Sequence, residues 1–450
     1  VKTTYFRDFY LLNPGSEPQK RIIRHAYVIV HERRIIHCGE DREAAEKCWS
    51  SLQLQFAANM QIYEGYGKKL LLPAFINCHT HLVMSLFRNS ADDQNLHDWL
   101  FQTIFPLENK LRERDYRIGT QLACLELIKN GIAATFDMYA RPDLSIPEVM
   151  RAGLRYLPGI DDKVRDKDFK ASIDKNIIAK MQDLAQAYPQ EQLKLTYMIH
   201  SIYLYQNDFF PQAADYLAAN PQLLLQMHLC ETQKEYSDCL KRFGKSPVKQ
   251  MDEFRLLGKG TVAAHCVVLT DEDRDILAKR QVTVVHNPTS NLKLGSGIAD
   301  IKALLQQQIR VCLGSDGAAS NNNLNLYNEM KLAALLSKGQ YRRADIITAF
   351  DVLQMATCNG YKAAGLGAGV IKEGELADIQ VVNLDSVNTF PINDLAAAVV
   401  YSLQTEQVES LMVLGQFVYY KKEYLTLDVE KIKYEAAKCV DFLHSDVQAH

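Results

Sequence analysis

The chain contains ten cysteines, yet no two of them form a C-x-x-C pair. That absence argues against a zinc ribbon or a dithiol redox motif. No long basic run occurs. Lys+Arg total 51 against Asp+Glu 54, a net charge of −3, so the electrostatic case for a nucleic-acid partner is weak. No apolar stretch approaches the length that spans a bilayer, no signal-peptide pattern opens the chain, and no internal repeat or low-complexity segment is evident. Several cysteines (Cys78, Cys230, Cys266, Cys312) lie in or beside apolar runs. They read as reduced core thiols, which points to the cytoplasm.

What is present is enough apolar material for one large core with an accessory domain: 47% hydrophobic and 23% charged residues over 450 positions. Residues 1–66 read as short strands, with Arg24–Val30 and Arg34–Cys38 alternating or β-branched around a polar break. From Lys69 the pattern changes to apolar runs alternating with helical stretches. The runs are Leu70–His79, Ile132–Asp137, Leu154–Gly159, Leu195–His200, Leu223–His228, Val262–His265, Val282–His286 and Val311–Asp316. Many are unbroken, as strands buried on both faces are. Between them, Arg112–Asn130 places Ile118, Leu122, Leu125 and Ile128 on one helical face and stops at Gly131. Thr270 followed by Asp273 resembles a capping box. Eight strand–helix units fit a closed (β/α)8 barrel better than an open sheet. After about residue 367 the β pattern returns, with strands at Ile379–Leu384 and Val418–Tyr424. The predicted fold is α/β: a TIM barrel over residues 67–366, a small β-sandwich domain made jointly by residues 1–66 and 367–430, and a C-terminal helix within 431–450.

The first run ends in His79 and His81. Side chains two apart on a strand share a face, so both imidazoles can reach one point past the strand end. Pro73 suits a strand that starts there. In isolation the pair reads equally well as two polar loop histidines. The other run ends decide between the readings, because they carry Asp137, His200, His228, His265, His286 and Asp316. In a barrel these ends meet at one mouth, where catalysis is found. His286 sits in an H-N-P turn, which suggests a backbone role. His79, His81, His228 and Asp316 offer three nitrogens and one oxygen, a set suited to Zn²⁺ with a position left for water. No lysine ends the fourth run to carry a bridging carbamate, so one metal is expected rather than two. Glu231, three residues after His228, can accept a proton from a metal-bound water and pass it on. The competing reading is a helix-start glutamate favoured by the dipole.

The stretches PAFINCHTH, MHLCET, AAHCVVLT, VVHNPTSNLKLGSG, LGSDGAASNNNLNLYNEMKLAALL and GVIKEGELADI together resemble the metal-dependent amidohydrolase superfamily. They are most similar to its 5′-methylthioadenosine/S-adenosylhomocysteine deaminase branch, over about residues 20–430. The resemblance implies that His79, His81, His228 and Asp316 ligate one divalent metal. It implies that Glu231 shuttles the proton and that His265 orients the metal-bound hydroxide. Trp99 and Glu108 would line the nucleoside pocket, with Glu108 accepting from ribose hydroxyls, and His200 would be a substrate-side histidine. Trp99 also reads as a core aromatic. Dimers are common in the family, so a homo-oligomer is expected. One departure concerns the stretch after the third run, YLPGIDDKVRDKDFK. Family members that take S-adenosylhomocysteine carry arginines there. Here Arg165 is the possible substitute, and Lys163, Lys167 and Lys170 lack the planar fork.

The implied activity is hydrolytic deamination of an adenosine-type nucleoside: 5′-methylthioadenosine, 5′-deoxyadenosine or adenosine, with S-adenosylhomocysteine less well served. Zinc deaminases of another fold pair a metal hydroxide with a non-ligand glutamate in the same way. The alternative within the superfamily is a guanine, pterin or triazine hydrolase, which Glu108 argues against because a free base has no ribose. A non-catalytic scaffold is disfavoured, because the four ligands and Glu231 are all present.

Overall fold

The computed structural model of the chain describes residues 2–56, 59–160 and 175–445. Its centre is eight parallel strands that pair in chain order. They are β1 (Phe75–Asn77), β2 (Ile132–Asp137), β3 (Arg155–Ile160), β4 (Thr196–Ile199), β5 (Leu224–Leu229), β6 (Thr261–His265), β7 (Thr283–His286) and β8 (Arg310–Leu313). The gap between β1 and β8 is bridged where Cys78 N–H donates to the Leu313 carbonyl at 3.0 Å and Asp316 N–H donates to the His79 carbonyl at 3.0 Å. This is the expected (β/α)8 barrel. Nearly every strand residue is buried, because helices cover the outer face and side chains fill the inner one; hence the unbroken apolar runs.

The connecting helices follow their local signals. One spans Glu113–Lys129, and Gly131 beyond it adopts φ 71°, a left-handed value that glycine takes without strain. Thr270 Oγ accepts from Asp273 N–H at 3.2 Å while the Asp273 carboxylate accepts from Thr270 N–H at 2.9 Å, a reciprocal cap.

Strands from both chain ends form one mixed nine-stranded sheet. Its central strand, Thr3–Leu12, pairs antiparallel with Ile22–His31 along one edge. On the other edge it lies parallel to Met60–Glu64 and then to Lys69–Pro73, changing partner around Asp8 at φ 61°. Lys69–Pro73 continues into Ile379–Asn383 and the C-terminal strands. Three details differ from the sequence reading. Val418–Tyr424 is not one strand but the end of Gln416–Tyr420 and the short strand Glu423–Tyr424 that turns back on it. The run Leu70–His79 is two strands in two sheets, with Pro73 ending the first rather than starting the second. Both halves are buried, so apolarity alone could not mark the crossing. Residues 1–66 also hold a helix, Arg42–Gln55, capped by Asp41.

Arg155, 1% exposed, ties the barrel to this sheet. Its guanidinium pairs with Asp378 and donates to the carbonyls of Glu191 (2.7 Å) and Leu366 (3.1 Å). Asp378 in turn accepts from Leu414 N–H at 2.8 Å. At the barrel mouth the chain after His81 forms a 3-10 helix, Leu82–Phe87. The C-terminal helix Val429–Leu443 packs Ala436, Cys439 and Leu443 against the same apolar cluster. No helix among the described residues is long and apolar enough to cross a membrane.

Candidate active site and metal centre

The strand ends of β1, β5, β6 and β8 bring five side chains to one point. His79, His228, His265 and Asp316 each present a ligand atom, and these atoms lie within 4.8 Å of one another. His81 joins them, with Nε2 3.1 Å from Asp316 Oδ1 and 3.3 Å from His228 Nε2. His79 Nε2 lies 3.4 Å from the same Oδ1. All five are buried, between 1 and 6% exposed.

The far sides of the rings determine what the near sides can do. His81 Nδ1 is 2.6 Å from the Met138 carbonyl, and His228 Nδ1 is 2.7 Å from the His200 carbonyl. A carbonyl only accepts, so both Nδ1 atoms carry a proton, and each ring in its neutral form points an Nε2 lone pair inward. Two lone pairs facing at 3.3 Å repel unless something positive lies between them. Burial also pushes His79 down to about 4 and holds His228 well below the ordinary histidine range. Burial works against the Asp316 carboxylate, but its close contacts with His79 and His81 outweigh it and keep its pKa well below the usual range. Burial likewise opposes a charged His81, and the contact with Asp316 reverses the balance and raises its pKa, so a proton and a cation compete for its Nε2. Neutral imidazoles around an ionised carboxylate are the donor set of a divalent cation, so the residues fit a metal.

Asp316 Oδ2 faces away and accepts from the hydroxyls of Ser290 (2.6 Å) and Ser320 (2.9 Å). His265 Nδ1 lies 2.7 Å from Asn291 Oδ1, and its Nε2 is 3.8 Å from Glu231 Oε2. Glu231 precedes the helix Gln233–Phe243 and is 4% exposed. Burial raises its pKa, with His265 opposing. The turn that aims it is held by Glu235, which accepts from the backbone N–H of Cys230 (3.1 Å) and of Glu231 (2.8 Å).

A family model described as "Amidohydrolase family" matches residues 70–418. The chain belongs to this family. A 5-methylthioadenosine/S-adenosylhomocysteine deaminase of Acetivibrio thermocellus is 37% identical over 378 residues, 81% of this chain and 85% of that one. A 5′-deoxyadenosine deaminase of Methanothermobacter thermautotrophicus is 38% identical over 361 residues, 79% of this chain and 83% of that one. The crystal structure of an adenosine deaminase from Xanthomonas campestris with bound zinc superposes with a TM-score of 0.89 at 27% identity, covering 98% of each chain.

In this amidohydrolase the cluster forms the floor of a cavity of about 60 Å³, whose walls include Trp99, Glu108 and His200. That volume admits a few waters. Trp99 opens a π-helical turn, Trp99–Ile104, of the kind that recurs at functional sites. Its indole nitrogen is buried without a hydrogen-bond partner. Glu108 ends the following turn beside Tyr139, which also lines the cavity and whose hydroxyl is buried. Two other strand-end residues serve elsewhere. Asp137 accepts from Leu82 N–H at 2.9 Å and from the Tyr156 hydroxyl. His286 offers its carbonyl to Gly314 N–H at 3.1 Å, and burial keeps its ring neutral, with a pKa of about 3. Lys163, Arg165, Lys167 and Lys170 lie outside the described residues. The sequence reading assigned no role to Ser290, Asn291, Ser320, Glu235 or Tyr139. The motif HNPTSN held the first two without indicating what they touch.

Proposed function

We propose that this amidohydrolase deaminates adenosine-type nucleosides by hydrolysis, releasing ammonia and the inosine-type product, with 5′-methylthioadenosine, 5′-deoxyadenosine and adenosine as the substrate class. The observation that carries it is the pair of inward Nε2 atoms of His81 and His228, 3.3 Å apart beside Asp316. The deaminase names of the relatives supply the substrate class. His79, His81, His228 and Asp316 would hold one divalent cation, and the nitrogen-rich donor set favours zinc. Such a cation supplies Lewis acidity that lowers the pKa of water toward ~7.

Glu231 takes a proton from the attacking water and delivers it to ring N1, a task its raised pKa suits. His265 Nε2 and Asp316 orient the water toward C6 and receive its second proton, which leaves with the amino group as the C–N bond breaks. Glu108 accepts from the ribose hydroxyls, Trp99 covers the nucleoside, and His200 meets the base from the β4 side. Ten free cysteines, eight of them buried, support a reducing compartment such as the cytoplasm. Assembly as a dimer or higher homo-oligomer is carried over from the family resemblance.

The test is an ammonia-release screen across adenosine, methylthioadenosine, 5′-deoxyadenosine, S-adenosylhomocysteine, guanine, pterins and triazines. Turnover of the nucleosides is expected. Turnover confined to free bases or triazines would refute the assignment.

A further inference from the structure

Glu329, on the helix Leu326–Tyr341, is 0% exposed, and no cationic side chain pairs with it among the described residues. A buried carboxylate without a cation is costly, and an apolar residue would pack there more cheaply. Its oxygens are instead committed to two turns. Oε1 accepts from Thr289 Oγ1 (2.6 Å) and Asn321 Nδ2 (2.9 Å), and Oε2 accepts from Thr289 N–H (3.1 Å). Thr289 immediately precedes Ser290, whose hydroxyl donates to Asp316 Oδ2 at 2.6 Å. Asn321 follows Ser320, which reaches the same oxygen at 2.9 Å, and Asn321 also donates to the Ser315 carbonyl at 2.7 Å. Asp316 itself sits at φ 62°, a left-handed conformation that a non-glycine residue keeps only where its surroundings impose it.

We propose that Glu329 is a positioning residue for the metal centre. It fastens the short helix after β7, Pro288–Lys293, to the short helix after β8, Ala318–Asn321, so that Ser290 and Ser320 hold Asp316 Oδ2 and direct Oδ1 toward the histidines. The inference rests on the reading that Asp316 is a metal ligand. It also explains why the residue is a carboxylate. Two fixed donors, Thr289 N–H and Asn321 Nδ2, converge on different oxygens together with the Thr289 hydroxyl, and a carboxyl presents an acceptor to each. The amide of a glutamine has the same shape. Whichever way it is turned, its NH₂ meets either Thr289 N–H or Asn321 Nδ2, unless Asn321 turns over and abandons Ser315.

The experiment measures zinc affinity by competition with a chromophoric chelator for the wild type, Glu329→Gln, Thr289→Val and Asp273→Asn, with steady-state kinetics and thermal unfolding alongside. Asp273, also 0% exposed, caps a helix through Thr270 and controls for lost stability alone. Glu329→Gln should weaken zinc about tenfold to a hundredfold, the range seen when groups that orient metal ligands are removed, and should lower kcat more than it changes KM. Thr289→Val alters a partly exposed side chain and should weaken zinc in the same direction by a smaller factor, which keeps the idea testable if Glu329→Gln does not fold. Zinc affinity in both variants that is unchanged, or no weaker than in Asp273→Asn, overturns the inference while leaving the metal centre standing. A wild-type chain that takes up no divalent metal overturns both.

Discussion

Asp316 donates its backbone N–H to the His79 carbonyl at 3.0 Å, and its Oδ1 lies 3.4 Å from His79 Nε2. The last and first strand ends of the barrel therefore close on each other through two residues of the candidate metal centre. Docking of β8 against β1 and assembly of the site are the same event.

Metal binding should for that reason stabilise the whole fold. A ligand held by the native chain alone, at a thousand times its Kd, contributes about 4 kcal/mol. Dialysis against a chelator is expected to lower Tm and abolish ammonia release, and Zn²⁺ should restore both. A Tm indifferent to metal, read by differential scanning calorimetry, would argue against the shared closure.

Glu231→Gln keeps the side chain's shape and removes its capacity to carry a proton. We expect kcat to fall by about 10²–10⁴, the usual contribution of a positioned general acid–base. Metal stoichiometry, measured by atomic absorption, should stay at the wild-type value. A variant with near-normal turnover would take Glu231 out of the mechanism.

Glu108→Ala should raise KM for nucleosides while leaving any turnover of free bases untouched. Steady-state kinetics on adenosine and on guanine separate the two. Nucleoside turnover that survives intact would shift the assignment toward a base or triazine hydrolase.

Burial pushes the Glu235 carboxyl up from 4.5 to about 7. The folded chain therefore keeps a proton that the unfolded chain has released. Stability from this group is fully present below about 4.5 and is lost as pH rises through about 7, a change on the order of 3 kcal/mol. Glu235→Gln cannot titrate, so its urea midpoint should rise relative to wild type between those pH values. A constant difference across the window would mean that the carboxyl is ordinary.

Asp378→Ala leaves the Arg155 guanidinium buried without its counter-charge. Breaking such a pair typically costs about 3–5 kcal/mol. Denaturant unfolding should show that loss with little change in slope. A loss below 1 kcal/mol, to order of magnitude, would mean that water reaches Arg155.

Much of the architecture is written locally. Eight apolar runs, seven of them ending in a histidine or an aspartate, specify a barrel mouth because parallel strands bring their C-terminal ends to one side. His79 and His81 are marked by their position just past the end of an apolar run, and Thr270 with Asp273 caps its helix through contacts three residues apart. The tertiary structure alone decided what depends on distant segments. Pro73 ends a strand of the other sheet, which no local pattern marks when both cores are apolar. The inward lone pairs of His81 and His228 follow from the carbonyls of Met138 and His200, and a backbone acceptor leaves no trace in residue identity. Ser290, Asn291, Ser320 and Glu329 acquire their roles only when β7, β8 and the helix Leu326–Tyr341 converge, since a hydroxyl or carboxylate does not encode which partner the fold will bring to it.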